Sequence, residues 1–400
     1  MSHRTARLAC AVLALLAPVT LLAQTFDSTF TRQVAPGVVH RRLVVNAVPW
    51  NINVVTVDLH NRSLSVHAAH AADAYLGRES VAAIAARHGQ VVAAINADFF
   101  QLSDGEPTNN FVVDGEWWRG VHDWGVGTGA RSQFAIDTQG HPLIDRFSWS
   151  GVVSSPRYPT FVLDGLNVRP DAYGVALFTP RYGPKTPADS AGRTLHELIL
   201  EPAGNSAGAS LFRIAAPVKS GGATPLAGRV VLVGGSATGD RLAALGPPGT
   251  LVRLETGVTP WRGKLSALVG GQPRLVSRGR GIADTALADA EGTNANLRLR
   301  HPRSAIGFTR DSTTLLLVTV DGRQPGSAGM DLVELSRLML TLGAFEALNL
   351  DGGGSTTLLV AGGVVNHPSD AGGARTVGNA LLVVQAPPTA PVRRSRPKAR

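Results

Sequence analysis

The feature that most constrains this chain is the run A-L-N-L-D-G-G-G-S-T-T-L-L-V at residues 347–360. An apolar, strand-like stretch at 345–350 drives into Asp351, three consecutive glycines follow, and Ser355-Thr356-Thr357 lead into a second apolar run. Glycine loses more backbone freedom on folding than any other residue, so a triplet survives only where the chain must take positive φ or let another group come close. A packed strand excludes it. The run therefore sets one carboxylate, bare N–H groups and hydroxyls at the end of a buried strand, where ligands of open α/β sheets sit. Asp-Gly is also a hairpin signal, and F-V-V-D-G-E-W-W around Asp114 and F-V-L-D-G-L-N-V around Asp164 read as plain hairpins. Asp351 departs from both by its glycine triplet and hydroxyl cluster, which put a functional reading ahead of a structural one.

From its start the chain carries Arg4 and Arg7, an apolar run at 8–22 and Ala23 before Gln24. A basic region, an apolar core and a small residue at the boundary make a secretory leader over 1–23, and a secreted or periplasmic destination. The one cysteine, Cys10, lies inside that leader, so the mature fold holds by packing without disulfides. No other stretch reaches the ~18 apolar residues of a membrane span. The formal charge of +9 invites a nucleic-acid partner, yet seven of the positive charges are Arg4, Arg7, Arg393, Arg394, Arg396, Lys398 and Arg400, in the leader and the tail. The folded part is nearly neutral and has no basic stripe with interleaved aromatics, which argues against nucleic acid. Residues 387–400 read as a disordered basic tail, leaving 24–386 as the folded unit.

Alternation predicts strands at 38–45, 51–58, 91–95, 195–200, 229–233, 304–308, 314–320 and 345–350. Apolar spacing predicts helices at 79–88, stopped by Gly89, and at 331–342, with Leu332, Leu335, Leu338, Met339 and Leu342 on one stripe, closed by Gly343. The region from 155 to 296 is rich in Pro and Gly and reads as a strand-rich insertion. The resulting class is α+β: a mixed β-sheet core with a few packed helices.

Two units repeat a pattern of helix, glycine, apolar strand and Asn-x-Asp: Gly89 with Asn96 and Asp98, and Gly343 with Asn349 and Asp351. The expectation is that both strands lie in one sheet and point the same way, bringing Asp98 and Asp351 to a shared edge with Asp321 nearby. Carboxylates gathered in one cleft bind a cation, share a proton or do chemistry. For Asp321, followed by Gly322, a solvated turn is an equal alternative. Glu334 lies three residues after Asp331, the spacing of a capping box. Arg303 is either a fork for a phosphate or one half of a surface ion pair. Asn366 to Asp370, with Arg375, fits a polar loop. The eleven histidines form no H-x-x-x-H or H-E-x-x-H pattern, so a histidine zinc site is unsupported. Gly257 to Lys264 fails as a phosphate loop, the glycines at 125–129 fail as a dinucleotide fingerprint, and no nucleophile elbow surrounds Ser355.

The ordered set I-N-A-D-F-F at Ile95, H-P-R-S-A-I-G at His301, V-D-G-R at Val320, G-M-D-L-V-E-L at Gly329, L-N-L-D-G-G-G-S-T-T at Leu348 and V-V-N-H-P-S-D at Val364 resembles the phosphodiester glycosidase family. The resemblance is strongest over 302–384, looser over 80–134 and faint between. It implies hydrolysis of a sugar-1-phosphodiester on an envelope or extracellular phosphorylated glycan. It also implies an active site lined by Asn96, Arg303, Asp321, Glu334, Asp351, Gly352, Gly353, Gly354, Ser355 and Asn366, to which position adds Asp98 and Arg375. Asp351, Glu334 and Asp321 are the catalytic candidates. The sequence specifies no cofactor; Asp98 and Asp321 either orient the other groups or take Ca²⁺ or Mg²⁺ through oxygen ligands. Two rivals stay open: a metal-dependent phosphodiesterase attacking phosphorus, and a non-catalytic exopolysaccharide binder.

Overall fold

The computed structural model describes residues 26–122, 131–156, 158–190, 192–260, 263–281 and 298–387. The leader, the glycines at 125–129 and nearly all of the basic tail lie outside them. The described chain is built from three sheets. One has eight strands in the order Ser28–Ala35, Val38–Val45, Trp50–Asp58, Thr314–Val320, Arg303–Phe308, Glu346–Asn349, Arg274–Ser277 and Arg280–Gly281. A second has five: Gly363–Val364, Leu358–Val360, Val91–Asn96, Asn379–Gln385 and Leu64–His70. The third gathers fourteen strands between Phe111 and Gly270. Every pair in the first two sheets is antiparallel, and the one parallel pair in the third joins Gly165–Leu166 to Val175–Phe178.

The α+β expectation is therefore corrected to a mostly-β fold, with 48% strand and 8% helix. Both predicted helices exist, at Val81–Ala85 and Leu332–Thr341, but each only covers a sheet face. The longer one seats Leu332, Leu335, Leu338 and Met339 against Ile52, Val54, Leu316 and Val318 of the eight-stranded sheet. Val81, Ile84 and Ala85 of the shorter one pack on Ala94, Leu359 and Leu382 of the five-stranded sheet. Between the two sheets lies the largest core, with Val55, Val57, Ile306, Leu317 and Leu348 from one side meeting Ile95, Leu358, Leu381 and Val383 from the other. The third sheet has its own core around Trp149, Leu163, Leu198 and Leu232.

Two further expectations change. The Asp114 hairpin is present, with Asp114 and Gly115 at φ 47° and 84° between Phe111–Val113 and Glu116–Val121, the positive-φ pair that a two-residue turn demands. Asp164 is not a hairpin, because Tyr158–Leu163 pairs with Ser148–Ser155 while Gly165–Leu166 pairs with Glu116–Val121 and Val175–Phe178. More consequentially, Val91–Asn96 and Glu346–Asn349 do not share a sheet. Val91–Asn96 is flanked by Leu358–Val360 and Asn379–Gln385, and Glu346–Asn349 by Arg303–Phe308 and Arg274–Ser277. The glycine triplet is where the chain leaves one sheet and enters the other.

Candidate active site

The crossing is clamped by Asn96, at the end of its strand and 1% exposed. Its Nδ2 donates to the Asp351 carbonyl (2.6 Å), and its Oδ1 accepts from Ser304 Oγ (2.7 Å) and the Thr357 N–H (3.0 Å). One amide thus ties both limbs of the bend to a strand of each sheet. The Asp351 N–H donates to the Ala97 carbonyl (2.9 Å). The two Asn-x-Asp ends meet as expected, across an inter-sheet seam rather than along one edge.

Behind the bend sits Asp98, 1% exposed. Its carboxylate accepts from Asn109 Nδ2 (2.6 Å) and the Asn109 N–H (3.3 Å), and its own N–H donates to Asn379 Oδ1 (2.6 Å). A Cβ on Gly270 would lie 2.3 Å from its Oδ1, so the neighbouring strand must be bare there. Burial, helped by the charge of Asp351, pushes the Asp98 carboxyl up to about 7. Asp351 is half-buried, and burial raises it to about 6 against the pull of Ser355, the Gly352 N–H and Arg375. The Ser355 hydroxyl has no hydrogen bond of ordinary geometry to any described residue, yet it leans on this carboxylate. The buried hydroxyls of Thr356 and Thr357 are also without partners among the described residues.

Asp321 is buried at the end of Thr314–Val320 and accepts from the His367 N–H (2.9 Å). Burial raises its pKa against the pull of that N–H, the His367 charge and the Asn366 side chain. Asn366 accepts from the Leu358 N–H (2.7 Å) and donates to the Thr356 carbonyl (3.0 Å), so it joins Asp321 to the outgoing limb of the bend. Arg375 forks onto Asp370 (2.8 and 3.2 Å), and a Cβ on Gly354 would lie 2.2 Å from its Nη2 and 2.4 Å from Asp370 Oδ1. The bend amides turn inward: Gly353 N–H donates to Pro302 O (2.9 Å), Ser355 N–H to Gly352 O (3.2 Å) and Thr356 N–H to Gly353 O (3.2 Å).

Two candidates are engaged elsewhere. Arg303 gives Nε to the Met330 carbonyl (2.9 Å) and Nη2 to the Leu299 carbonyl (2.8 Å), and burial lowers its pKa to about 10. Glu334 completes a capping box with Asp331 (3.0 and 2.8 Å) and pairs with Arg300, without a hydrogen bond to Asp351. Among the described residues no group of three or more His, Cys, Asp or Glu is placed to hold a metal ion. Asp98 has both carboxylate oxygens on Asn109, and Asp321 accepts from His367. Sequence reading missed Asn109 and Asn379, whose roles no spacing announces, and Gly270, where a glycine inside a strand is a signal of close approach. Arg323 was passed over although it ends the V-D-G-R motif.

The family model described as phosphodiester glycosidase matches residues 205–384, as the motifs imply. An SPbeta prophage-derived uncharacterized protein, YomE, of Bacillus subtilis (strain 168) is 44% identical over 78 residues, 20% of this chain and 12% of that protein. The N-acetylglucosamine-1-phosphodiester alpha-N-acetylglucosaminidase of Bos taurus is 40% identical over 68 residues, 17% of this chain and 12% of its own. The chain thus spans about an eighth of the length of the curated relatives it matches. The crystal structure of a hypothetical protein from Synechocystis superposes with a TM-score of 0.73 at 23% identity, covering 89% of this chain and 64% of that one, a likeness of fold. No helix among the described residues is long and apolar enough to cross a membrane.

Proposed function

We propose that this chain, matched by the phosphodiester glycosidase model over residues 205–384, is a secreted hydrolase that cleaves a sugar-1-phosphodiester on an envelope or extracellular glycan. The observation that carries this reading is Asp351, half-buried at the glycine crossing with the carboxyl of Asp98 at its back. A phosphate ester is a weakly basic leaving group, so its departure from an anomeric carbon needs little general-acid help. What the reaction needs is a carboxylate for the anomeric centre, or for an attacking water, and charge neutralisation at the phosphate. Near neutral pH Asp351, at about 6, is mostly ionised, while Asp98, at about 7, still holds a proton much of the time. Two neighbouring carboxyls with separated pKa values divide the work of charge and proton in this way. Asp321 and Asn366 set the outer wall of the same bend. The leader read at 1–23 supports export.

The test is release of reducing sugar from a panel of sugar-1-phosphodiesters, with Asp351→Asn and Glu334→Gln beside wild type. Asp351→Asn is expected to lower kcat by at least about a hundredfold, and activity is expected to survive EDTA. Full activity in Asp351→Asn would overturn the assignment. Loss to EDTA that Mg²⁺ or Mn²⁺ restores would move the chemistry to phosphorus, and glycan binding with no release from any substrate would make the protein a binder.

A further inference from the structure

We propose that Arg323 reads the phosphate: its guanidinium, braced by His301 above Gly353, takes the anionic oxygens of a phosphate ester. The reaction in this proposal rests on the hydrolase reading above, whereas the anion site does not. Arg323 follows Asp321-Gly322 with φ +59°, a left-handed conformation that costs an L residue with a long side chain. Glycine would sit there at no such cost, so the position keeps an arginine for what its side chain does. An observed strain of this kind points to function rather than to folding.

The guanidinium lies over the bend. A Cβ on Gly353 would be 3.2 Å from its Nη2 and 3.4 Å from its Nη1, so the missing side chain of that glycine is what lets the cation approach. Nη2 donates to His301 Nδ1 (3.2 Å), and because a guanidinium can only donate, His301 must be neutral at that nitrogen. Burial, with the charges of Arg303 and Arg323, lowers the His301 pKa accordingly. Arg323 itself is exposed.

Charge balance around the bend singles it out. Arg300 pairs with Glu334 and Arg375 with Asp370, while Arg303 is buried against carbonyls. Among the described residues no acid pairs with Arg323. The amides of Gly353, Ser355 and Thr356, which could have cradled an anion, are spent on carbonyls. The cation left to meet a phosphate at this crossing is the Arg323 fork, matched to two phosphate oxygens. A phosphate above Gly353 would place the attached sugar carbon toward Asp351, two residues back along the bend.

The experiment measures inorganic phosphate binding by equilibrium dialysis for wild type, Arg323→Gly, Arg323→Gln and Arg323→Lys, with thermal midpoints alongside. Wild type is expected to bind, Arg323→Gly and Arg323→Gln to weaken binding by about tenfold or more, and Arg323→Lys to fall between. Arg323→Gly is expected to melt at the same temperature as wild type or higher, since glycine relieves the positive φ. A residue with a merely structural role would instead lower the midpoint and leave phosphate affinity alone. Wild type that does not bind phosphate, or variants that bind it equally well, overturns the proposal. If phosphate binds through Arg323 but no phosphodiester is cleaved, the hydrolase reading fails and this assignment stands. If sugar is released while Arg323→Gly changes neither phosphate affinity nor KM, the reverse holds.

Discussion

The proton inventory of two side chains sets how this site responds to pH. Asp98 and Asp351 are held at about 7 and about 6, above the 3.8 of a free aspartate, so between pH ~4 and ~7 each of these two groups holds its proton more in the folded chain than in the unfolded one. Their contribution to stability therefore falls as pH rises through that window. For fully buried Asp98 the change is on the order of a few kcal/mol. Asp98→Asn is expected to flatten this slope, read as the urea midpoint against pH. In kcat/KM the coupled pair should give wild type two steps, near 6 and near 7, whereas Asp98→Asn keeps only the lower one. Two unchanged steps would exclude Asp98 from the titrating pair. These values could not be read from the chain, because Asn109 and Gly270 approach Asp98 only through the tertiary fold.

The helix Leu332–Thr341 shows how an element can carry a candidate residue without committing it to chemistry. Asp331 caps the N-terminus and Glu334 returns the bond. Asp331→Ala is expected to cost ~1 kcal/mol in chemical denaturation. Glu334→Gln, which can still reach the Asp331 N–H, should cost less than that. A loss of activity in Glu334→Gln would then be a loss of chemistry rather than of fold. Strand and helix positions were legible because each is a local pattern: 314–320 is a strand over its full predicted length, and the stripe from Leu332 to Met339 is buried as its period requires. Partners were not legible. The run after Asp164 and the run before Asp351 have ordinary strand signatures, and what each pairs with is decided by distant segments. The glycine triplet announced an exceptional backbone, and only the fold reveals it as a passage between sheets.

Across the whole molecule, the fourteen-stranded sheet is fastened to the rest through a buried polar knot. Tyr75 Oη donates to the Asn167 carbonyl (2.5 Å) and accepts from Arg119 Nη1 (3.0 Å), and Arg119 pairs with Glu106. Tyr75→Phe strands that carbonyl and removes a partner from the guanidinium. It is expected to destabilise the protein by ~1–3 kcal/mol, seen as a lower thermal midpoint, and an unchanged midpoint would show that the knot contributes nothing. The clamp at Asn96 reaches further. The stretch that matches the family begins at 205, yet Asn96 and Asp98 precede it, as do two strands of the five-stranded sheet and three of the eight. What looks like a portable cassette is therefore half of a lock. Grafted into another host, residues 205–384 would arrive with the glycines and Asp351 but without the amide that fastens them, and the inheritance of this bend must run through both halves of the polypeptide together.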